Sequence, residues 1–145
     1  METKEYRDDP TIPNAAELLR RIPRQHLVRD PERGCYRISS AAFDDHPNGS
    51  PMSVLLADVM REEGRGPEAA LTGHVDFSLV SITAGLARQC NQGVARDPLP
   101  TEPAHAVVFG NKTRSVRKRF ANEAQWVIPS SPPALPTGED LQQTR

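Results

Sequence analysis

The sequence predicts an α+β domain: a small, mostly antiparallel sheet of about four to five short strands, with helices packed on one face. Three observations carry that expectation. Apolar runs of strand length recur, the clearest being Phe77–Ile82 and Ala104–Phe109, and short helical patterns are interleaved with them. The longest amphipathic segment, 112–125, lies near the end of the chain, where it would cover the sheet. The 145 residues are enough for one domain and too few for two well-packed ones.

Residues 1–13 mix charges with Pro10 and Pro13 and read as a mobile arm before a single domain over 14–129. Asn14 is placed to cap a short helix, with Ala15, Leu18, Leu19 and Ile22 at helical spacing and Pro23 as its stop. A polar turn at 30–34 precedes a strand over 35–40. His46-Pro47-Asn48-Gly49-Ser50-Pro51 is the strongest turn signal in the chain. The next apolar run, 52–57, fits a strand or a helix begun at Pro51; the strand is favoured because it would pair with 35–40 across the turn.

Pro67–Gly73 reads as a one-to-two-turn helix with proline at its first position and glycine past its end. A strand at 77–82 leads, through a Thr83 cap, into a helix over 84–91. Short strands follow at 94–96 and 104–109, separated by a rigid proline-rich loop. The helix over 112–125 carries Val116, Phe120 and Ala124 on one stripe, and Trp126-Val127-Ile128 fits a last short strand. Residues 130–145 are proline-rich, lack periodicity and read as a disordered tail.

Composition narrows the function classes. Hydrophobic residues make up 37% of the chain, mean hydropathy is -0.58, and formal net charge is -1. No global field would draw the molecule onto nucleic acid or an anionic membrane, so an electrostatic partner must read a local patch. Two cysteines without CxxC spacing argue against a disulfide framework. The charged start of the chain has no apolar targeting segment, and no run is long enough to span a bilayer, so the expected location is cytoplasmic, without a membrane partner. Histidines 26, 46, 74 and 105 are widely spaced; neither a metal site nor a cofactor motif is expected.

The most informative segment is 109–119. With Val116 turned to the core, Arg114 and Lys118 point away from it, and Arg117 and Arg119 flank the two sides. Lys112, Arg114, Arg117, Lys118 and Arg119 thus form a candidate anion-binding face, since cations and free N–H groups in a first helical turn favour a bound anion. A solvated basic face, balanced by the acidic stretch 44–76, is the plainer alternative. Gly110-Asn111-Lys112-Thr113 partly matches the end of a P-loop, but no glycine opens the loop on the His105 side, which leaves too few backbone donors to wrap a triphosphate.

His105 opens an apolar strand directly after the proline loop. It is the candidate catalytic acid or base, acting on a phosphate held by Lys112 and Arg114, with Ser39, Ser40 or Asp97 completing the site. A purely structural alternative has its ring nitrogens satisfying loop carbonyls.

Arg37–Phe43, Met52-Ser53-Val54, and the stretch from Asp97-Pro98 through Pro103-Ala104-His105-Ala106 resemble a group of small bacterial proteins of unknown function, over residues 18–129. That resemblance implies no activity. The residues themselves point to a small accessory or interaction module, whose basic helix face meets nucleic-acid backbone or an acidic protein. The rival is a small phosphoryl- or nucleotide-processing enzyme using His105 and Lys112. In a third reading, the acidic 44–76 stretch and the tail dock within a larger assembly.

Overall fold

The computed structural model describes residues 5–129. In chain order the elements are β1 (Glu17–Ile22), β2 (Leu27–Asp30), β3 (Cys35–Ile38), β4 (Met52–Leu56), α1 (Ala57–Glu62), β5 (Ser78–Thr83), α2 (Ala84–Gln89), β6 (Gly93–Arg96), β7 (His105–Phe109), α3 (Arg114–Glu123) and β8 (Gln125–Ile128). Single 3-10 turns occupy Arg24–His26, Ser40–Phe43 and Pro67–Leu71.

The main sheet is antiparallel throughout, with strand order β6-β7-β4-β1-β5-β8, and β2 and β3 form a separate hairpin. The architecture is α+β as expected, but the main sheet has six strands rather than four or five.

The expected helix over 14–22 is instead β1, near the centre of the sheet. It pairs with β5 along its whole length and with β4 at Leu18–Leu56 and Leu19–Leu55. A central strand is apolar on both faces, so Leu18 and Leu19 sit side by side, and that pair together with Ile22 mimics a helical stripe. The 35–40 segment pairs with β2 through the turn at 31–34, where Gly34 adopts φ 65°, and not with 52–57. The 52–57 segment is strand β4, joined to β7 and β1.

Adjacent strand residues point to opposite faces, and two apolar clusters result. One gathers Leu18, Ile22, Val54, Leu56, Val80, Val108 and Phe43 with Leu86 and Ala87 of α2 and Phe120 of α3. The other gathers Leu19, Leu55 and Leu79 with Ala57 and Met60 of α1 and Ala70. Helical side chains therefore contribute to both clusters.

Part of the expected arm is tied down. Asp9 N donates to Val94 O at 2.8 Å, Arg88 Nε reaches Asp8 Oδ1 at 3.0 Å, and Ile12 is buried in the first cluster. This segment covers β6, an edge strand whose unpaired groups would otherwise be open. Residues 1–4 and the expected tail, 130–145, lie outside the described residues.

Candidate functional site

Helix α3 forms over 114–123, two residues later than the sequence suggests. Thr113 caps it, its hydroxyl accepting Val116 N at 3.3 Å. Phe120 is fully buried and meets Phe43 edge-on at 6.0 Å between ring centroids. Val116 packs against the same cluster. The apolar stripe thus holds the helix down as its spacing requires.

The five cations divide sharply. Lys112 precedes the helix and is not part of its exposed face: its side chain is 2% exposed. Its ammonium donates to Val108 O at 2.8 Å and Gly110 O at 3.3 Å, and pairs with Asp45 Oδ1 at 3.0 Å. Burial pushes its pKa down, partly offset by the hydrogen bond and charge of Asp45. Arg117 is half-buried, donates Nε to Lys112 O at 3.3 Å, and lies 4.0 Å from Asp44 Oδ2. Arg119 is bound to Glu123 at 2.6 Å and to Gln89 at 2.7 Å. Arg114 and Lys118 remain exposed, one helical turn apart, with no ion pair among the described residues.

His105 is placed differently from the phosphate site the sequence suggested. Its Nδ1 lies 2.9 Å from Asp97 O and 3.2 Å from Asp97 Oδ2, and its Nε2 lies 3.2 Å from Ser53 Oγ. Both neighbours of Nδ1 are acceptors, so Nδ1 carries the proton, and in the neutral ring Nε2 accepts the Ser53 hydroxyl. Of the residues expected beside it, Asp97 is there. Ser39 instead caps the Ser40–Phe43 turn through Ala41 N, and no bond joins Ser39 or Ser40 to His105 among the described residues.

Ser53 was not visible in the sequence as a partner. It becomes one because Leu55 stands opposite His105, which puts Ser53 on the same face one pleat along. His105 opens β7 and Lys112 lies just past its other end, its ammonium at Val108 O while the His105 ring is held at Asp97 and Ser53. They do not converge, and the expected phosphate site made from the two is not assembled.

Arg20 was also missed. After Leu19–Leu55, β1 and β4 no longer pair: β1 continues with β5, and β4 with β7. Arg20 fills the divergence, its Nε donating to Ala42 O at 3.1 Å and its Nη1 to Ser53 O at 2.8 Å. Its neighbour Arg21 points to the other face and donates to Ala70 O at 2.5 Å.

Among the described residues, no group of three His, Cys, Asp or Glu side chains is placed to hold a metal ion, and no helix is long and apolar enough to cross a membrane. No protein-family model, curated protein or solved structure matches the chain.

Proposed function

We propose that the protein is a small accessory module that docks a phosphate-bearing or acidic partner on the outer face of α3. The contact is centred on Arg114 and Lys118, with Arg117 and Arg119 at its sides. Lys112 is reassigned to holding the Asp45 loop. One observation carries the reading: two exposed cations project from a buried-stripe helix with no carboxylate partner among the described residues. Arg114, the first residue of α3, disfavours the isolated helix by a few tenths of a kcal/mol, a penalty that a bound anion reverses.

The strip lacks interleaved aromatics, so nucleic acid would be held by its phosphates and not by its bases. The test is an electrophoretic titration with a duplex oligonucleotide, alongside an acidic peptide, at low and moderate salt. Binding should weaken steeply with salt and disappear in Arg114→Glu/Lys118→Glu. Equal binding by that variant ends the proposal.

A second reading is favoured by the 3.2 Å approach of His105 Nε2 to Ser53 Oγ. In it, Ser53 Oγ attacks an ester carbonyl, His105 takes the hydroxyl proton and returns it to the leaving alkoxide, and water then releases the acyl group. A fluorophosphonate probe that labels Ser53, and fails to label it in His105→Gln, separates this reading from the first.

A further inference from the structure

We propose that Asn48 is a self-modification site, whose side-chain amide is lost through a succinimide to leave aspartate or isoaspartate in the loop that leads into β4. Asn48-Gly49 is the single Asn-Gly step in the sequence, and both residues are exposed.

The reaction needs the backbone nitrogen of the following residue to reach the asparagine side-chain carbonyl, with room for a five-membered ring to close. Gly49 supplies the room. It carries no side chain, it adopts φ 93°, and apart from its chain neighbours no heavy atom lies within 4 Å of where a Cβ would stand. The loop also prepares the carbonyl. Asn48 Oδ1 accepts Ser50 N at 2.8 Å, so the oxygen that takes up negative charge during the attack already has a main-chain donor on it.

Two bonds restrain the step. Gly49 N donates to His46 O at 2.8 Å, and Asn48 N donates to His46 Nδ1 at 3.2 Å. The first must open before the nitrogen can attack. It closes an exposed turn, and such turns open at a small fraction of the cost of global unfolding.

The chemistry balances with water alone. Hydroxide takes the Gly49 N–H proton, and the nitrogen electron pair forms a bond to Asn48 Cγ while the carbonyl pair moves onto Oδ1. That pair returns as the side-chain nitrogen leaves, protonated by water, as ammonia. Water then adds to one ring carbonyl and breaks its bond to the Gly49 nitrogen. Breaking the bond at Cγ gives aspartate; breaking it at the main-chain carbonyl gives isoaspartate, whose main chain is longer by one carbon.

The four other asparagines lack these conditions. Asn14, Asn91, Asn111 and Asn122 precede Ala15, Gln92, Lys112 and Glu123, all of which carry side chains. Gln92 and Lys112 are also buried, and Asn122 lies inside α3. At Asn48 the product places a new carboxylate three residues from Asp45, the partner of Lys112. Isoaspartate also lengthens the turn that His46 N and Ser50 O close at 2.9 Å.

The test is a time course of the full chain in warm neutral buffer, digested and mapped by mass spectrometry. The peptide holding Asn48 should lose the mass of ammonia and then gain that of water, with every other asparagine converting at least about tenfold more slowly. Gly49→Ala should slow the conversion by about tenfold, because a side chain crowds the attacking nitrogen. The other asparagines act as internal standards if that variant distorts the loop. No conversion at Asn48, or conversion no faster than at another asparagine, overturns the proposal. Conversion unchanged in Gly49→Ala overturns it as well, since direct hydrolysis would then be the route.

Discussion

Lys112 Nζ lies 3.0 Å from Asp45 Oδ1, and this pair fastens the approach to α3 onto the loop that leads into β4. The two ends are unequal: the lysine side chain is 2% exposed and the aspartate 35%. Asp45→Asn should therefore cost more than Lys112→Met, because it strands a buried ammonium while the converse leaves a carboxylate that water can reach. About 1–3 kcal/mol is expected for Asp45→Asn, since the aspartate is partly open to water and the ammonium keeps its two carbonyl acceptors. The folded-state pKa of Lys112 is below 10.5, so between that value and 10.5 the unfolded chain holds more protons, and loss of Asp45, which supports the charge, lowers the folded value further. The Asp45→Asn deficit should then shrink as pH rises toward 10.5, as read by urea unfolding at several alkaline pH values. A deficit independent of pH removes Lys112 as its cause.

This pair also shows where sequence patterning stops. The helix at 114–123 was legible because Val116 and Phe120 repeat at helical spacing, whereas its cap, Thr113, fell inside the expected helix over 112–125. The fate of its cations was not legible, since Asp44, Asp45 and Gln89 reach them only through the fold. Strand β1 was misread for a related reason. Leu18, Leu19 and Ile22 satisfy a helical stripe and a doubly buried central strand equally well, and only pairing with β4 and β5 decides between them. The strands 78–83, 93–96 and 105–109 were visible as short apolar runs between turn signals, while the Ser53–His105 contact required the register of β4 on β7.

Phe120 is the anchor of α3. It is fully buried and meets Phe43, itself fully buried, so truncation leaves a cavity that two neighbouring elements cannot easily close. Phe120→Ala should cost about 3–5 kcal/mol. Val116→Ala, at a half-buried position, should cost clearly less. Thermal unfolding of both variants checks the order, and equal losses would place the anchor elsewhere.

Gly93 stands directly opposite Phe109 in the β6–β7 ladder. A Cβ at Gly93 would come within 2.2 Å of the Phe109 ring, which itself stacks on Tyr6 at 5.9 Å. The ring covers the glycine backbone, a cross-strand pairing that leaves no space for a side chain. Gly93→Ala should displace Phe109, break its stack on Tyr6 and cost about 1–3 kcal/mol by overpacking. Tyr6 ring signals moving toward solvent-exposed values in the NMR spectrum would verify it. An unmoved Tyr6 signal would show that the ring yields without releasing the arm.

Glu102 joins the loop after β6 to the segment after α1 through a two-pronged contact. Arg65 Nη1 and Nη2 donate to Glu102 Oε1 and Oε2 at 2.8 Å and 2.7 Å. The Glu102 carboxylate also accepts Ala104 N at 3.1 Å. The Arg65 hydrogen bonds, ahead of the smaller opposing effect of burial, hold its pKa below 4.5, so the folded protein keeps the carboxylate ionised to lower pH than the unfolded chain does. The stabilisation is fully present above 4.5 and is lost as pH falls through the folded-state value. Glu102→Gln keeps the shape without the charge. It should lower stability by about 1 kcal/mol or less at neutral pH, since the pair is partly open to water. It should also flatten the loss of stability below pH 4.5, so that the two unfolding curves converge in acid. Parallel curves down to low pH would mean that Glu102 is neutral in the folded protein or that Arg65 does not hold it.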